Sequence, residues 1–128
     1  MSSLPRVLVA DDDRELLGAV ATAVERIGAE VVSVQTGGEL IEHLADDGPF
    51  DLILTDLAMP WMNGLQAMRA ARNAGVDTPF VVMTALDLAQ AGKLIADAGA
   101  AVAVLKKPFE LAELEEIVRR VIEKKTGG

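Results

Sequence analysis

Acidic side chains bunch at Asp11-Asp12-Asp13, and a further acid, Asp56, follows the apolar run Leu52-Ile53-Leu54. A hydroxyl, Thr84, and two adjacent ammonium groups, Lys106 and Lys107 before Pro108, close two more apolar runs. Carboxylates brought within a few ångströms of one another repel, and each raises the other's pKa unless a cation sits among them. A ligand set of oxygen alone, with no thiolate and no nearby imidazole, selects a hard ion, Mg²⁺ or in its place Mn²⁺. Mg²⁺ keeps its water and bridges to phosphoryl oxygens, which leaves a neighbouring carboxylate free to act as a nucleophile. An aspartate attacking a phosphoryl donor needs positive charge on the equatorial oxygens. The metal and Lys107 can supply it, with Thr84 donating a hydrogen bond.

These groups are far apart in the chain, so the fold must bring them together. Short β-branched runs occur at Val7-Leu8-Val9, Val31-Val32-Ser33-Val34, Leu52-Ile53-Leu54, Phe80-Val81-Val82-Met83 and Ala101-Val102-Ala103-Val104-Leu105. All but the second are continuously apolar, as parallel strands covered on both faces are. The second carries Glu30, Ser33 and Gln35 and is predicted at a sheet edge. Helical patterns fill the gaps. Leu16, Leu17, Val20, Val24 and Ile27 stop at Gly28; Leu40, Ile41 and Leu44 follow a capping box of Thr36 with Glu39. Leu65 and Met68 mark a third helix, capped by Asn63 and ending near Gly75. A fourth, about Leu88 to Ala98, is alanine-rich and softened by Gly92. The fifth carries the stripe Leu111, Leu114, Ile117, Val118, Val121 and Ile122, with Lys124 and Lys125 at its dipole-favoured end.

Five unbroken β–α units predict an α/β fold, an open parallel sheet with helices on both faces, in one of a few doubly wound orders. Ligands of such sheets bind outside the carboxyl ends of the strands. Strand one ends in the three acids, strand three in Thr55-Asp56, strand four in Thr84-Ala85 and strand five in Lys106-Lys107-Pro108, whereas strand two ends uncharged in Gln35-Thr36. With strands about 4.8 Å apart in the order 2-1-3-4-5, the strand-one acids and Asp56 can share one ion, and Lys107 can reach across two strands.

Composition narrows the field further. The 128 residues suit one domain, and the 51 % apolar content suffices for its core. Twenty acidic against twelve basic side chains give a charge of −8, so no broad electropositive face for direct nucleic-acid binding is expected. With no cysteine and one histidine, disulfides, thiolate sites, Cys nucleophiles and His-rich metal sites are excluded. Neither a basic leader with an apolar core nor a run of roughly 20 apolar residues occurs, so the chain reads as cytoplasmic, without membrane insertion. The residues after Lys125 are too few for an output domain, and a single domain over 4–125 is expected.

Taken in order, Val9-Ala10-Asp11-Asp12-Asp13, Asp56-Leu57-Ala58-Met59-Pro60 with Gly64, Met83-Thr84-Ala85, Gly99-Ala100 and Lys107-Pro108-Phe109 resemble the receiver domain of two-component response regulators. The likeness runs from about Arg6 to Lys125. It implies the flavodoxin-like order 2-1-3-4-5 with five helices, and it assigns roles. Asp56 matches the phosphoacceptor, served by a sensor histidine kinase or a histidine phosphotransfer protein. Asp12 matches the direct Mg²⁺ ligand, Asp11 its neighbour acting through water, and Ala58 the backbone carbonyl that completes the metal shell. Thr84 and Lys107 match the pair that holds the phosphoryl group, and the Lys107-Pro108 bond would be cis, which an X-Pro bond adopts cheaply. Phosphorylation would then switch a surface of helix four, strand five and helix five for an unknown downstream protein, until the aspartyl phosphate hydrolyses. Two features depart from the family pattern. Val104 stands where receivers carry a Tyr or Phe as switch, and the stretch from Gly99 to Lys107 is one residue longer. The extra residue predicts a bulge or shifted register in strand five and makes Lys106 a competitor for the lysine role.

Other readings compete at single positions. Asp13 is expected to cap the first helix rather than bind metal, and His43 to be a surface residue. Trp61 and Met62 are placed on the loop after strand three as a contact point. Ala58 and Leu86 flank the water path, and their apolar character is expected to slow hydrolysis. A receiver acting as an unphosphorylated interaction module is the alternative function, although it would normally have lost an acid, the threonine or the lysine. An aspartate phosphatase lacks its Asp-x-Asp-x-Thr signature here, and a flavin phosphate would be repelled by the first acidic loop.

Overall fold

A computed structural model describes residues 4–57, 64–98 and 103–126. Five strands, β1 (Arg6–Ala10), β2 (Glu30–Val34), β3 (Leu52–Asp56), β4 (Phe80–Thr84) and β5 (Ala103–Lys106), form one parallel sheet in the order β2-β1-β3-β4-β5. Five helices alternate with them: α1 (Arg14–Arg26), α2 (Gly37–Asp46), α3 (Gly64–Asn73), α4 (Leu88–Ala98) and α5 (Leu111–Thr126). This is the doubly wound, flavodoxin-like arrangement expected, with the half-polar β2 at the edge.

Period-two alternation divides the core into two layers. Leu8, Ala10, Ile53, Phe80 and Val82 face Leu40 of α2, Met68 of α3 and Ile95 of α4. Val7, Val9, Leu52, Leu54, Val81, Met83 and Leu105 face Leu17, Val20 and Val24 of α1 and Leu114 and Val118 of α5. Strands β1, β3 and β4 are buried almost throughout, which is why they read as continuous apolar runs.

Local chemistry sets the helix ends. The Asp13 carboxylate accepts from the amides of Glu15 (3.1 Å) and Leu16 (3.2 Å) and caps α1, as expected. Gly28, just beyond α1, takes φ 97°, a conformation a β-carbon would disfavour. At α2, Thr36 accepts from the Glu39 amide (3.1 Å), but the Glu39 carboxylate accepts from the Gln35 amide (3.3 Å), one residue before the amide a standard capping box engages. Helix α4 occupies its predicted span and, among its described side chains, buries only Ala91 and Ile95, leaving Leu88 56 % and Leu94 41 % exposed. Leu111, expected in the apolar stripe of α5, is 39 % exposed because it lies at the helix's first turn. His43 lies on the surface, paired with Asp47 one turn on.

The expectation of a bulge in strand five is corrected over the described residues. The ladder pairs Val81, Val82, Met83 and Thr84 with Ala103, Val104, Leu105 and Lys106 one for one. The first predicted residues of that strand, Ala101 and Val102, lie outside the described residues, as do Gly99 and Ala100.

Candidate functional site

At the carboxyl edge of the sheet, the first residue past β1 and the last of β3 face each other across adjacent strands. Asp11, wholly buried, and Asp56, 7 % exposed, stand with the exposed Asp12 so that one oxygen of each lies within 4.8 Å of the others. The Asp11 backbone is pinned by its amide, which donates to the Val34 carbonyl (3.1 Å), and its carboxylate accepts from the Asp13 amide (2.9 Å). Asp56 is held by β3–β4 pairing opposite Met83.

The fourth member comes from the end of β5. Lys107 Nζ donates to Asp11 Oδ2 (2.8 Å) and to Asp56 Oδ2 (2.6 Å), bridging the two buried acids. Of the two candidate lysines, Lys107 makes this contact and Lys106 is exposed. Alternation explains the choice. Leu105, Met83, Leu54 and Val9 share the α1–α5 face, so every second residue beyond them (Lys107, Asp56 and Asp11) returns to that side. Lys106 shares the opposite parity with Val104, which packs half-buried against the α2–α4 layer. The Lys107 amide donates to the Thr84 carbonyl (2.7 Å), and the Lys107-Pro108 peptide is cis. Thr84, 1 % exposed, sits one residue past the partner of Asp56, with its hydroxyl accepting from the Leu86 amide (3.1 Å).

The electrostatics follow from burial. Asp11 is pushed above its ordinary value, chiefly by loss of water. The Lys107 bond and the Asp13 amide pull it back, and the Asp56 charge pushes it further up. For Lys107, burial alone lowers the pKa, but hydrogen bonds and charge from Asp11 and Asp56 outweigh it, so the net shift is upward and the ammonium stays charged. When ionised, three carboxylates against one ammonium leave two negative charges in excess. An oxygen-only donor set with that excess and one exposed member fits a hard divalent cation that retains water.

Two residues of this site were not singled out for their own roles. Thr55, wholly buried, donates its hydroxyl to the Asp56 carbonyl (3.0 Å). Gly64, the first residue of α3, lies so close that a β-carbon would stand 2.2 Å from that carbonyl oxygen. The glycine of Asp-x-x-Met-Pro-x-x-x-Gly was visible in the sequence, but its reason was not. Ala58, with its expected metal-binding carbonyl, the contact pair Trp61 and Met62, and the predicted cap Asn63 lie outside the described residues.

Acids, a hydroxyl and a lysine thus stand on four strand ends of a flavodoxin-like open parallel sheet, at the edge where ligands of such folds bind. The response regulator receiver domain model matches residues 7–119, and the chain belongs to that family. It is 36 % identical over 121 residues to the response regulator MprA of Mycolicibacterium vanbaalenii, covering 94 % of this chain and 52 % of that protein. The chain thus spans about half the length of this relative. Among solved structures it is similar to the Francisella response regulator 1452 receiver domain (TM-score 0.87, 27 % identity, 95 % of this chain and 99 % of that one). A CheY-like receiver domain protein from Methanospirillum hungatei gives a TM-score of 0.85 at 28 % identity, over 98 % of this chain and 100 % of that one. Among the described residues no helix is long and apolar enough to cross a membrane.

Proposed function

We propose that this receiver is the phosphoacceptor of a two-component phosphorelay, and that Asp56 is the residue modified. An Asp56 carboxylate oxygen attacks the phosphorus of a phosphohistidine on a sensor histidine kinase or histidine phosphotransfer protein. The new O–P bond forms as the P–N bond breaks, and the departing imidazole takes its proton from solvent. Hydrolysis reverses the change: water attacks phosphorus, the O–P bond breaks, and phosphate leaves with the carboxylate restored.

Each side chain has a part set by its position. Asp12 and Asp56, with Asp11 through water and the Ala58 carbonyl, would hold Mg²⁺, for which Mn²⁺ can substitute; bound there, the ion neutralises charge on the phosphoryl oxygens. Lys107, already on Asp56 Oδ2, keeps a positive charge where those oxygens arrive. Thr84 accepts from the Leu86 amide and still has a proton to donate to a phosphoryl oxygen. Drawing Thr84 and Lys107 toward the new group would move the ends of β4 and β5, and with them the lightly anchored α4. The exposed Leu88 and Leu94 make the α4–β5–α5 face the partner-binding surface of this reading. Val104 offers no aromatic ring to report the change, so here the report passes through α4 itself.

The observation that carries the proposal is the Lys107 bridge between Asp11 and Asp56, with Asp12 completing the cluster. Acetyl phosphate with Mg²⁺ should label the protein with an acid-stable, alkali-labile group that EDTA prevents and Asp56→Asn abolishes. Equal labelling of Asp56→Asn would overturn the assignment. No labelling of the wild type by acetyl phosphate or any histidine kinase would leave the unphosphorylated interaction module as the better account.

A further inference from the structure

Asp56 is the last residue of β3, paired with Met83, and the peptide that follows it is where the chain leaves the sheet. A displacement of that peptide must be taken up at the Asp56 Cα, from which the carboxylate hangs. Two residues with no part in the phosphoryl chemistry act on this peptide. Thr55, whose alternation turns it toward the α3 side of the sheet, is fully buried and donates its hydroxyl to the Asp56 carbonyl at 3.0 Å. Gly64, also buried, begins α3 against the same group. A β-carbon there would lie 2.2 Å from the Asp56 oxygen, 3.1 Å from its carbonyl carbon and 3.2 Å from the Leu57 Cα. The Gly64 amide donates to the Leu57 carbonyl at 3.0 Å, so the contact is tied on both sides. All three crowded atoms belong to the backbone, which cannot swing aside as the tip of a side chain does.

We infer that Thr55 and Gly64 are positioning residues for the phosphoacceptor: one hydroxyl and one missing β-carbon together set where the Asp56 carboxylate stands relative to Asp11, Asp12 and Lys107. The inference rests on the phosphoacceptor reading for its consequence in rate, but its geometric consequence, the spacing of the acids, is independent of it. To reach an ordinary contact distance, the helix start and the Asp56 peptide must separate by roughly 1 Å, and misplacement of a reacting group by that much can cost about 10²-fold in rate. Losing the Thr55 hydroxyl removes one buried hydrogen bond, about a tenfold effect.

The test uses the full chain, with Gly64→Ala, Thr55→Val and Thr55→Ser beside wild type. Each is assayed well below its own unfolding midpoint, for acetyl phosphate labelling rate and for Mg²⁺ dissociation constant by calorimetry. Gly64→Ala should label about 10²-fold more slowly and Thr55→Val about tenfold more slowly, both with weakened Mg²⁺ binding. Thr55→Ser, which restores the hydroxyl, should recover to within about threefold. Lower unfolding midpoints with wild-type rates and Mg²⁺ affinities in the folded variants would overturn the inference, since a merely structural role predicts that pattern. If Gly64→Ala does not fold, the Thr55 pair decides. If wild type itself takes no label, the phosphoacceptor reading fails, and the Mg²⁺ affinities still decide for or against the positioning role.

Discussion

Lys107→Met removes the ammonium that bridges two acids and keeps most of the stem's packing. The nitrogen lies 2.8 Å from Asp11 and 2.6 Å from Asp56, on a side chain only 19 % exposed. Without it, two carboxylates face each other with no counter-charge, one of them wholly buried. Removing one partner of a buried ion pair costs roughly 3–5 kcal/mol; screening through the exposed Asp12 side brings the expectation to about 2–3 kcal/mol in EDTA. Mg²⁺ binding should move the other way, because lysine and metal compete for the same oxygens. Two unit charges about 4 Å apart interact by about 1 kcal/mol even in water, and a divalent ion doubles that. A repulsion of about 2 kcal/mol corresponds to more than a tenfold gain in affinity once it is lifted. Urea unfolding by circular dichroism, in EDTA and across an Mg²⁺ series, reads both quantities, since ligand stabilisation grows as the logarithm of concentration over dissociation constant. The pH sign is also set. Lys107 has its folded pKa above the usual lysine value, so its contribution is complete below the unfolded pKa and is lost as pH rises through the folded one. The gap between wild type and Lys107→Met should therefore be flat through neutral pH and close only in strong alkali. A variant as stable as wild type in EDTA, or one binding Mg²⁺ no more tightly, would refute this account of the lysine.

Asp11→Asn should raise metal-free stability at neutral pH while weakening Mg²⁺ binding, because burial holds the Asp11 pKa above its ordinary value and the charge is a net burden on the fold. In wild type that burden lifts as pH falls through the raised value, so the two unfolding midpoints should converge in acid; parallel midpoints at every pH would contradict it. Beryllofluoride with Mg²⁺ should speed amide exchange in Leu88–Ala98, where, among the described side chains, only Ala91 and Ile95 are buried; mass spectrometry showing no change there would remove α4 from the switch. Leu86→Asn, introducing a polar group where a 38 % exposed Leu86 now stands, should shorten the phosphoryl lifetime about threefold to tenfold, the worth of one hydrogen bond to the attacking water. An unchanged decay of the label would show that water does not pass that side.

The sheet was legible in the sequence because parallel strands buried on both faces cannot hide their composition. Where the reading stopped short, it stopped mostly at polar residues. Arg6, Ala10, Glu30, Thr55, Asp56, Thr84 and Lys106 all extend strands whose apolar cores were recognised, since hydrogen bonding continues the ladder after the run of large apolar side chains ends. The gathering of Asp11, Asp12, Asp56 and a lysine at one edge followed from strand order. The choice of lysine needed only the alternation already present in Leu105-Lys106-Lys107. Counting residues pointed to a bulge that the described ladder, Ala103 to Lys106, does not contain, because spacing carries no information about which part of a strand or its approach absorbs an extra residue. The Gly64 contact was out of reach for another reason: it joins a helix start to a strand end through backbone atoms, and backbone leaves no side-chain pattern to read.

The buried bridge also bears on why such a site can switch. Asp11 and Asp56 stand at the ends of their own strands, and Lys107 satisfies both while both are bare carboxylates. A phosphorylated Asp56, a mixed anhydride, would present its negative charge farther from the sheet, on phosphoryl oxygens, so an ammonium that follows the charge must lengthen its bond to Asp11. Asp11 is the member least able to tolerate that loss, being wholly buried and already shifted toward its neutral form. The proposed modification thus moves a strain of charge from Asp56 to Asp11, where a divalent cation can offset it. In the proposed reading, metal dependence and conformational response would have one origin: four charges on three strand ends cannot all be satisfied by the same arrangement before and after phosphorus arrives.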